Sequence, residues 1–195
     1  MPVDTLTPGA LGLCAAAIAA RLFVSGVLLS AAAHKLTNRL EFSGIVAQYR
    51  LVPRGTENLV AALTALLEIV AALCLLFAPL VGAALAAGLL LGYALAMGVN
   101  LQRGRRHIDC GCGGDSTPLS LSLVGRNLAM VGLLGCIGLP VTEAAIPAGT
   151  VAGSTPSLVL GSLFALGLGA LYVCYNQLQV NAGIYRRLWL GENNR

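Results

Sequence analysis

Residues 58–101 read NLVAALTALLEIVAALCLLFAPLVGAALAAGLLLGYALAMGVNL, and this stretch decides the fold. It is long enough for two membrane-spanning helices, since each needs ~20 apolar residues. Glu68 is its only charged residue, and Pro79 divides it into two halves. Because proline cannot continue an unbroken helical hydrogen-bond ladder, the stretch predicts a tight hairpin of two helices, with a kinked junction as the alternative.

Further apolar segments on both sides extend this pattern to five predicted spans. Their bounds are near 10–33, 58–78, 80–101, 119–139 and 157–179. Hydrophobic residues make up 57% of the chain and charged residues 10%, whereas a soluble domain carries about 25% charged residues. The sequence therefore predicts an all-α, polytopic membrane helical bundle in the lipid bilayer. It forms one domain over residues 1–195, with four spans if one segment is interfacial.

Basic residues lie in the connections that alternate along the chain. Segment 34–54, segment 102–118 and the C-terminal tail contain all the Lys and Arg residues except Arg21 and Arg126. Such scattered charges do not predict a nucleic-acid partner. The positive-inside rule predicts that the N-terminus lies outside and that the C-terminus and segment 102–118 lie at the cytoplasmic face. Segment 34–54 interleaves basic and apolar residues, which predicts an interfacial amphipathic helix or a solvated loop.

Two cysteines, Cys110 and Cys112, lie in the glycine-rich loop 102–118. A disulfide across Cys-x-Cys closes a very small ring, and strained geometry makes such a bridge easier to reduce. Three nearby arginines favour the reactive thiolate, whereas Asp109 opposes it. The loop therefore predicts a thiol–disulfide oxidoreductase in which Cys110 or Cys112 attacks a partner disulfide and the other cysteine resolves the intermediate.

The same loop permits a metal site as an alternative. His107, Cys110 and Cys112 offer an imidazole and two thiolates, with Asp109 beside them. Soft ligands of this kind select Cu(I) or Zn, but Cys-x-Cys spacing suits tetrahedral zinc poorly. The alternatives to redox chemistry are therefore a soft-metal-ion binding or transport protein and a non-catalytic assembly scaffold.

Three charges fall within the predicted spans, where charge is costly and is usually paired or functional. Arg21 and Glu68 lie near the middle of spans one and two, which predicts an ion pair that holds the bundle together. Arg126 lies about two turns into span four. It is predicted to stabilise a thiolate, or a quinone oxygen that gains charge on reduction, with contact to lipid headgroups as the alternative.

The remaining cysteines fall within the predicted spans. Cys14, Cys74 and Cys136 lie toward the side without basic residues, and Cys174 lies toward the other side. The first three are predicted either to form a second redox layer or to behave as small hydrophobic residues, as isolated helical cysteines usually do.

Several short motifs, in this order, resemble the methylamine utilisation protein MauE family, which is grouped with DoxX-like membrane proteins. The resemblance covers residues 11–138. Its motifs are His34-Lys35-Leu36, Phe42, Tyr49-Arg50-Leu51-Val52-Pro53, Leu67-Glu68, Asn100-Leu101 with Arg103-Gly104, Cys110-Gly111-Cys112-Gly113 and Gly125-Arg126-Asn127-Leu128.

The resemblance implies a multi-pass protein of the bacterial cytoplasmic membrane. Members of the family are tied to maturation of methylamine dehydrogenase, whose small subunit carries many disulfides and matures in the periplasm. A thioredoxin-like partner, MauD, is implied. The implied chemistry is similar to that of DsbB-type and CcdA-type proteins, which pass electrons between thiols or to quinone.

The charge pattern and this implied function differ in where they place the cysteine loop. Periplasmic disulfide formation needs thiols outside, whereas the arginines predict a loop inside, where thiols are kept reduced. Two routes reconcile them. Electrons enter from a cytosolic dithiol and cross the bundle to reduce an outward partner, or the loop re-enters the membrane and contacts quinone. The complete charge asymmetry favours the first route.

Overall fold

Six α helices occupy the residues that the computed structural model describes, namely 8–111, 117–135 and 155–192. In chain order they are α1 Pro8–Thr37, α2 Arg39–Tyr49, α3 Glu57–Phe77, α4 Pro79–Gln102, α5 Leu121–Leu133 and α6 Thr155–Glu192. Four of them contain segments that are long and apolar enough to cross a membrane: Leu11–Thr37, Glu57–Phe77, Pro79–Gln102 and Thr155–Ala182. The predicted fold class, a membrane helical bundle, is confirmed.

The predicted fourth span, 119–139, coincides only in part with a described helix. Helix α5 is shorter than the four long helices, and residues 136–154, which follow its last turn, lie outside the described residues. The number of spans, five or four, therefore stays a prediction.

Helix α1 lies at the centre of the bundle, where it packs against both α3 and α6. Helix α3 packs in turn on α4, and α4 packs on α5. The expected hairpin is present: Ala78 alone separates α3 from α4, and Pro79 takes the first helical position of α4, where its missing N–H would lack a helical partner anyway. Gly82 lets the two backbones approach closely, because a Cβ there would meet the backbone of Cys74 and Leu75.

Helix α2 follows α1 after the single residue Asn38, which makes the predicted segment 34–54 mostly helical. Its Phe42 and Ile45 side chains are buried, whereas Leu40 is 86% exposed. The helix ends where Arg50 adopts a left-handed conformation, with φ 51°. Helix α2 therefore presents one apolar face to the bundle and packs mainly against α3.

One end of the bundle, here called the loop end, gathers the elements that surround Cys110. It contains the C-termini of α1 and α4, the N-terminus of α5, helix α2 and the loop after α4. Helix α6 is tied to the same end, since the Tyr175 hydroxyl donates to the Ser122 carbonyl at 3.0 Å. The turn at Pro79 lies at the opposite end.

Candidate functional site

A short antiparallel pairing holds the two arms of the cysteine loop together. The Leu119 N–H donates to the Ile108 carbonyl and the Cys110 N–H donates to the Thr117 carbonyl, both at 3.0 Å. Ile108 and Leu119 are buried and pack with apolar residues of α4 and α5. This pairing fixes the backbone of Cys110, whose side chain is half-buried, whereas Cys112 lies outside the described residues.

Helix α2 covers the loop at Cys110 and Gly111. The Tyr49 hydroxyl donates to the Cys110 carbonyl at 3.2 Å. Gly111 has φ +67°, and a Cβ built there would lie 2.9 Å from Cε2 of Phe42. Both its backbone conformation and its close contact with α2 therefore require glycine.

Asp109 is the ionisable neighbour of Cys110. Its Oδ1 accepts a hydrogen bond from the Gly111 N–H at 3.0 Å. Burial raises the pKa of Asp109, although hydrogen bonds from the backbones of Gly111 and Thr117 act in the opposite direction. The carboxyl group therefore opposes a neighbouring thiolate less than a fully exposed aspartate would.

A cavity of about 200 Å³ extends from this loop into the bundle. Cys110 and Gly111 form part of its wall, and the apolar remainder includes Val27, Leu28 and Leu90. Polar side chains from helices α1 to α5 also line the cavity, namely Lys35, Tyr49, Thr64, Glu68, Tyr93, Arg126 and Asn127. The cavity thus joins the candidate redox cysteine to the charged groups inside the bundle.

Lys35 and Glu68 form a buried ion pair on one wall of the cavity. The Tyr93 hydroxyl donates to the same Glu68 oxygen, Oε1, at 2.8 Å. The Lys35 Nζ also lies 5.1 Å from the ring centroids of both Phe42 and Tyr93, which adds cation–π attraction. Helices α1, α2, α3 and α4 therefore meet around one ammonium group.

The predicted ion pair between Arg21 and Glu68 is wrong, because Lys35 takes that place. The register of α1 against α3 explains this, because the Ser25 hydroxyl of α1 donates to the Ala72 carbonyl of α3 at 3.1 Å. Since the two helices are antiparallel, Glu68 then lies at the level of about Leu29. This level is ~12 Å from Arg21 along the axis of α1. Side chains lean toward the N-terminus of their own helix, so Lys35 and Glu68 lean toward each other. Arg21 is buried closer to the N-terminus of α1.

Arg126 lies on the cavity wall and also ties α5 to α6. Its Nη1 donates to Asn176 Oδ1 at 2.8 Å, and its guanidinium carbon lies 5.4 Å from the Tyr172 ring centroid. It lines the same cavity as Cys110. A role toward a thiolate or quinone stays a prediction.

Several polar residues of the cavity, among them Lys35, Tyr93 and Asn127, are not among the predicted site residues. Asn127 is 2% exposed, and its Nδ2 has no hydrogen-bond acceptor among the described residues. The available signal is a polar side chain inside an otherwise apolar helix, which is expensive unless it has a partner. The pattern does not say which cavity such a side chain faces.

The other predicted ligands and cysteines are dispersed. Within ranges 8–111, 117–135 and 155–192, no three His, Cys, Asp or Glu side chains are placed to hold a metal ion. His107 is exposed, and Cys112, which completes the alternative metal set with Cys110, lies outside those ranges. A soft-metal site stays a prediction.

Three cysteines remote from the loop are described as free thiols. Cys14 is buried in α1, Cys74 is half-buried in α3 and Cys174 is exposed on α6. Cys136 lies outside the described residues. The proposed second redox layer therefore stays a prediction.

Comparison with known proteins gives one consistent result. The family model "Methylamine utilisation protein MauE" matches residues 13–141. The chain is 38% identical to the methylamine utilization protein MauE of Paracoccus denitrificans over 162 residues, which cover 76% of this chain and 86% of the relative. It is 36% identical to that of Methylophilus methylotrophus over 159 residues, which cover 80% and 82%.

No solved structure matches the chain. The match to the family model runs from within α1 to beyond the end of α5 and includes the cysteine loop. The relatives agree over most of their own length as well as that of the chain. The protein is multi-pass in the membrane and belongs to the MauE family of methylamine utilisation proteins.

Proposed function

We propose that the protein is a membrane thiol–disulfide exchange protein that acts in methylamine utilisation. It supports maturation of methylamine dehydrogenase, or of a similar periplasmic target, together with a thioredoxin-like partner of the MauD kind. The observation that carries this proposal is the position of Cys110, which is half-buried, held by backbone hydrogen bonds and placed on the wall of a cavity that contains charged groups. The names of the relatives supply the biological system.

The exchange uses the two cysteines in sequence. The thiolate of one cysteine attacks a disulfide of the partner, which forms a mixed disulfide and releases one partner thiolate. The second cysteine then attacks the mixed disulfide, so the partner leaves as a dithiol and Cys110 and Cys112 become a disulfide. Two electrons move with each cycle, and the reverse sequence of steps oxidises the partner.

Neighbouring groups favour this chemistry at Cys110. Arg103, Arg105 and Arg106 give the loop a positive charge, which stabilises a thiolate. Burial keeps the Asp109 carboxyl closer to neutrality. Arg126 adds a cation on the cavity wall. The protein lies in the inner membrane in this proposal, with the loop at the cytoplasmic face according to its charge distribution.

Replacement of both loop cysteines by serine distinguishes this proposal from the alternatives. In cells that carry Cys110→Ser/Cys112→Ser, methylamine dehydrogenase activity and the disulfides of its small subunit are expected to be lost. A variant with Cys174→Ser, which changes an exposed thiol on α6, is expected to behave as wild type. Full maturation with the double serine variant would favour a scaffold. A stoichiometric metal ion that is lost on Cys110→Ser would favour metal binding.

A further inference from the structure

Two buried polar atoms in the cavity under the cysteine loop lack a hydrogen-bond partner among the described residues, one an acceptor and the other a donor. The acceptor is Glu68 Oε2 and the donor is Asn127 Nδ2. The two residues are 0% and 2% exposed, and both line the cavity. Because buried polar groups are nearly always satisfied, these two atoms offer one acceptor and one donor to a molecule that enters the cavity, whether water or a ligand.

The size and walls of the cavity restrict that ligand. One water needs only ~10–15 Å³ of such space, so a cavity of about 200 Å³ accommodates a substituted six-membered ring. Its walls include Leu28, Leu90 and Met130, with the rings of Phe42 and Tyr93 close to the Lys35 ammonium group. Such walls fit a flat, apolar molecule with a few polar oxygens.

We propose that this cavity is a binding site for a lipid-soluble quinone, which accepts the electrons of the Cys110–Cys112 dithiol. This inference rests on the proposed thiol function in its reverse direction, in which the partner dithiol is oxidised and the Cys110–Cys112 disulfide is reduced, and it adds the oxidant that restores that disulfide. A quinone satisfies both open polar atoms over its redox cycle, because its carbonyl oxygen accepts from Asn127 Nδ2 and a quinol hydroxyl donates to Glu68 Oε2. Lys35 supplies a positive charge where oxygen gains electron density.

The reaction is balanced between the two thiols and the ring. The two S–H bonds of Cys110 and Cys112 break and one S–S bond forms, which releases two electrons and two protons. The quinone takes up both, and its two carbonyl groups become hydroxyls. Since the quinol leaves through the bilayer, this route needs no second cysteine pair at the opposite end of the bundle. It corresponds to the route in which the loop contacts quinone inside the membrane.

Photolabelling of the full-length protein in lipid nanodiscs tests the site. The probe is an azido-ubiquinone analogue, and decylubiquinone competes with it. Label is expected on peptides of α3, α4 and α5 that line the cavity. Ala96→Leu, which fills the cavity, and Asn127→Leu, which removes the donor, are expected to raise the half-competing concentration of decylubiquinone about tenfold or more.

Matched changes outside the cavity provide the controls. Asn181→Leu changes an exposed asparagine of α6 and is expected to leave labelling unchanged. Thermal unfolding shows whether Ala96→Leu and Asn127→Leu remain folded, and either variant alone suffices for the comparison. Labelling that is spread over the lipid-facing side of α6, or equal in Asn127→Leu and Asn181→Leu, would overturn the quinone site.

A second measurement separates this inference from the proposed function. Under anaerobic conditions, decylubiquinone is expected to oxidise two thiols of the reduced protein for each quinol formed, and Ala96→Leu is expected to slow this reaction about tenfold or more. If no quinone binds or reacts while a mixed disulfide with a thioredoxin-like protein still forms, the quinone site is wrong and thiol exchange stands. If quinone binds in the cavity but no mixed disulfide forms, the proposed exchange fails and the binding site stands.

Discussion

Lys35 of α1 and Glu68 of α3 form an ion pair that is almost completely removed from solvent, with 4% and 0% of the two residues exposed. Tyr93 donates a further hydrogen bond to the same carboxylate oxygen. The pair lies on the wall of the cavity that also contains Cys110. It therefore connects the packing of the central helices with the candidate redox site.

Removing one member of this pair is expected to destabilise the bundle strongly. Glu68→Leu leaves the Lys35 ammonium buried without its counter-ion, and Lys35→Met leaves the carboxylate, each at a cost of ~3–5 kcal/mol. The double variant Lys35→Met/Glu68→Leu is expected to recover most of the loss, because replacing a whole buried pair by apolar residues is often neutral. Thermal unfolding in detergent measures all three variants.

The control for this comparison is Glu57→Gln, which changes a half-buried carboxylate at the start of α3 away from the cavity. It is expected to shift the unfolding midpoint little. Additive losses in the double variant would show that Lys35 and Glu68 are not energetically coupled.

Asp109→Asn is expected to make Cys110 react faster with a neutral maleimide at neutral pH. The substituted amide side chain keeps an oxygen that accepts the Gly111 N–H but carries no charge to oppose the thiolate. The raised pKa of Asp109 means that the negative charge of the wild-type carboxyl appears only as pH rises through that raised value. The rate difference between the two proteins should therefore grow as pH rises through this range.

The raised pKa of Asp109 also makes the free energy of unfolding depend on pH. The neutral carboxyl is favoured in the folded protein, so its contribution to folding is fully present below the unfolded pKa of Asp109 and is lost as pH rises through the folded one. Asp109→Asn should remove this part of the pH dependence. Equal maleimide rates for wild type and Asp109→Asn at every pH would contradict the assigned role of the carboxylate.

Gly111→Ala is expected to loosen the cover of α2 over the loop. The left-handed backbone costs a residue with Cβ ~1–2 kcal/mol, and the new methyl group would press against Phe42. Phe42→Ala in the same chain should relieve the clash but not the backbone strain. Gly88→Ala is the control, since a Cβ there meets nothing within 4 Å. Gly111→Ala should lower the unfolding midpoint and change Cys110 labelling, whereas Gly88→Ala, in the interior of α4, should not lower the midpoint and should leave the labelling unchanged.

Membrane-impermeant maleimide added to intact cells tests the predicted topology. In a chain whose only cysteines are Cys110 and Cys112, labelling is expected only after permeabilisation. An added cysteine at Ala78, in the exposed turn between α3 and α4, should label without permeabilisation. The opposite pattern would place the loop outside, where a periplasmic partner docks directly.

The helices were predictable from sequence because hydrocarbon-spanning segments differ so strongly in composition from their connections. The hairpin of α3 and α4 could be predicted from Pro79 alone, because proline interrupts the helical hydrogen bonds. The ion pairing inside the bundle was only partly predictable. A buried Glu68 indicates a cationic partner, but the depth of a residue along its helix does not show how far a flexible lysine side chain extends. Lys35 was not predicted as the partner of Glu68, because its place in segment 34–54 suggested an interfacial residue. In the structure α1 continues to Thr37, so Lys35 belongs to this helix and packs inside the bundle.

The cavity was not predictable, because residues from all six helices line it and its shape depends on how these helices pack together. Asn127 and Tyr93 are separated by a long stretch of chain and lie on different helices, and only the packing of α4 on α5 brings both to one cavity wall. The loop was predicted as a reactive element, but its antiparallel pairing and its cover by Phe42 depend on tertiary contacts.

Trapping a mixed disulfide tests the central claim, thiol exchange at the loop, most directly. In cells that express Cys112→Ser or Cys110→Ser, one of the two variants is expected to accumulate a covalent complex with a thioredoxin-like protein that dissociates on reduction. The double serine variant serves as the negative control. If neither single variant forms such a complex while both support full maturation of methylamine dehydrogenase, the loop does not exchange disulfides.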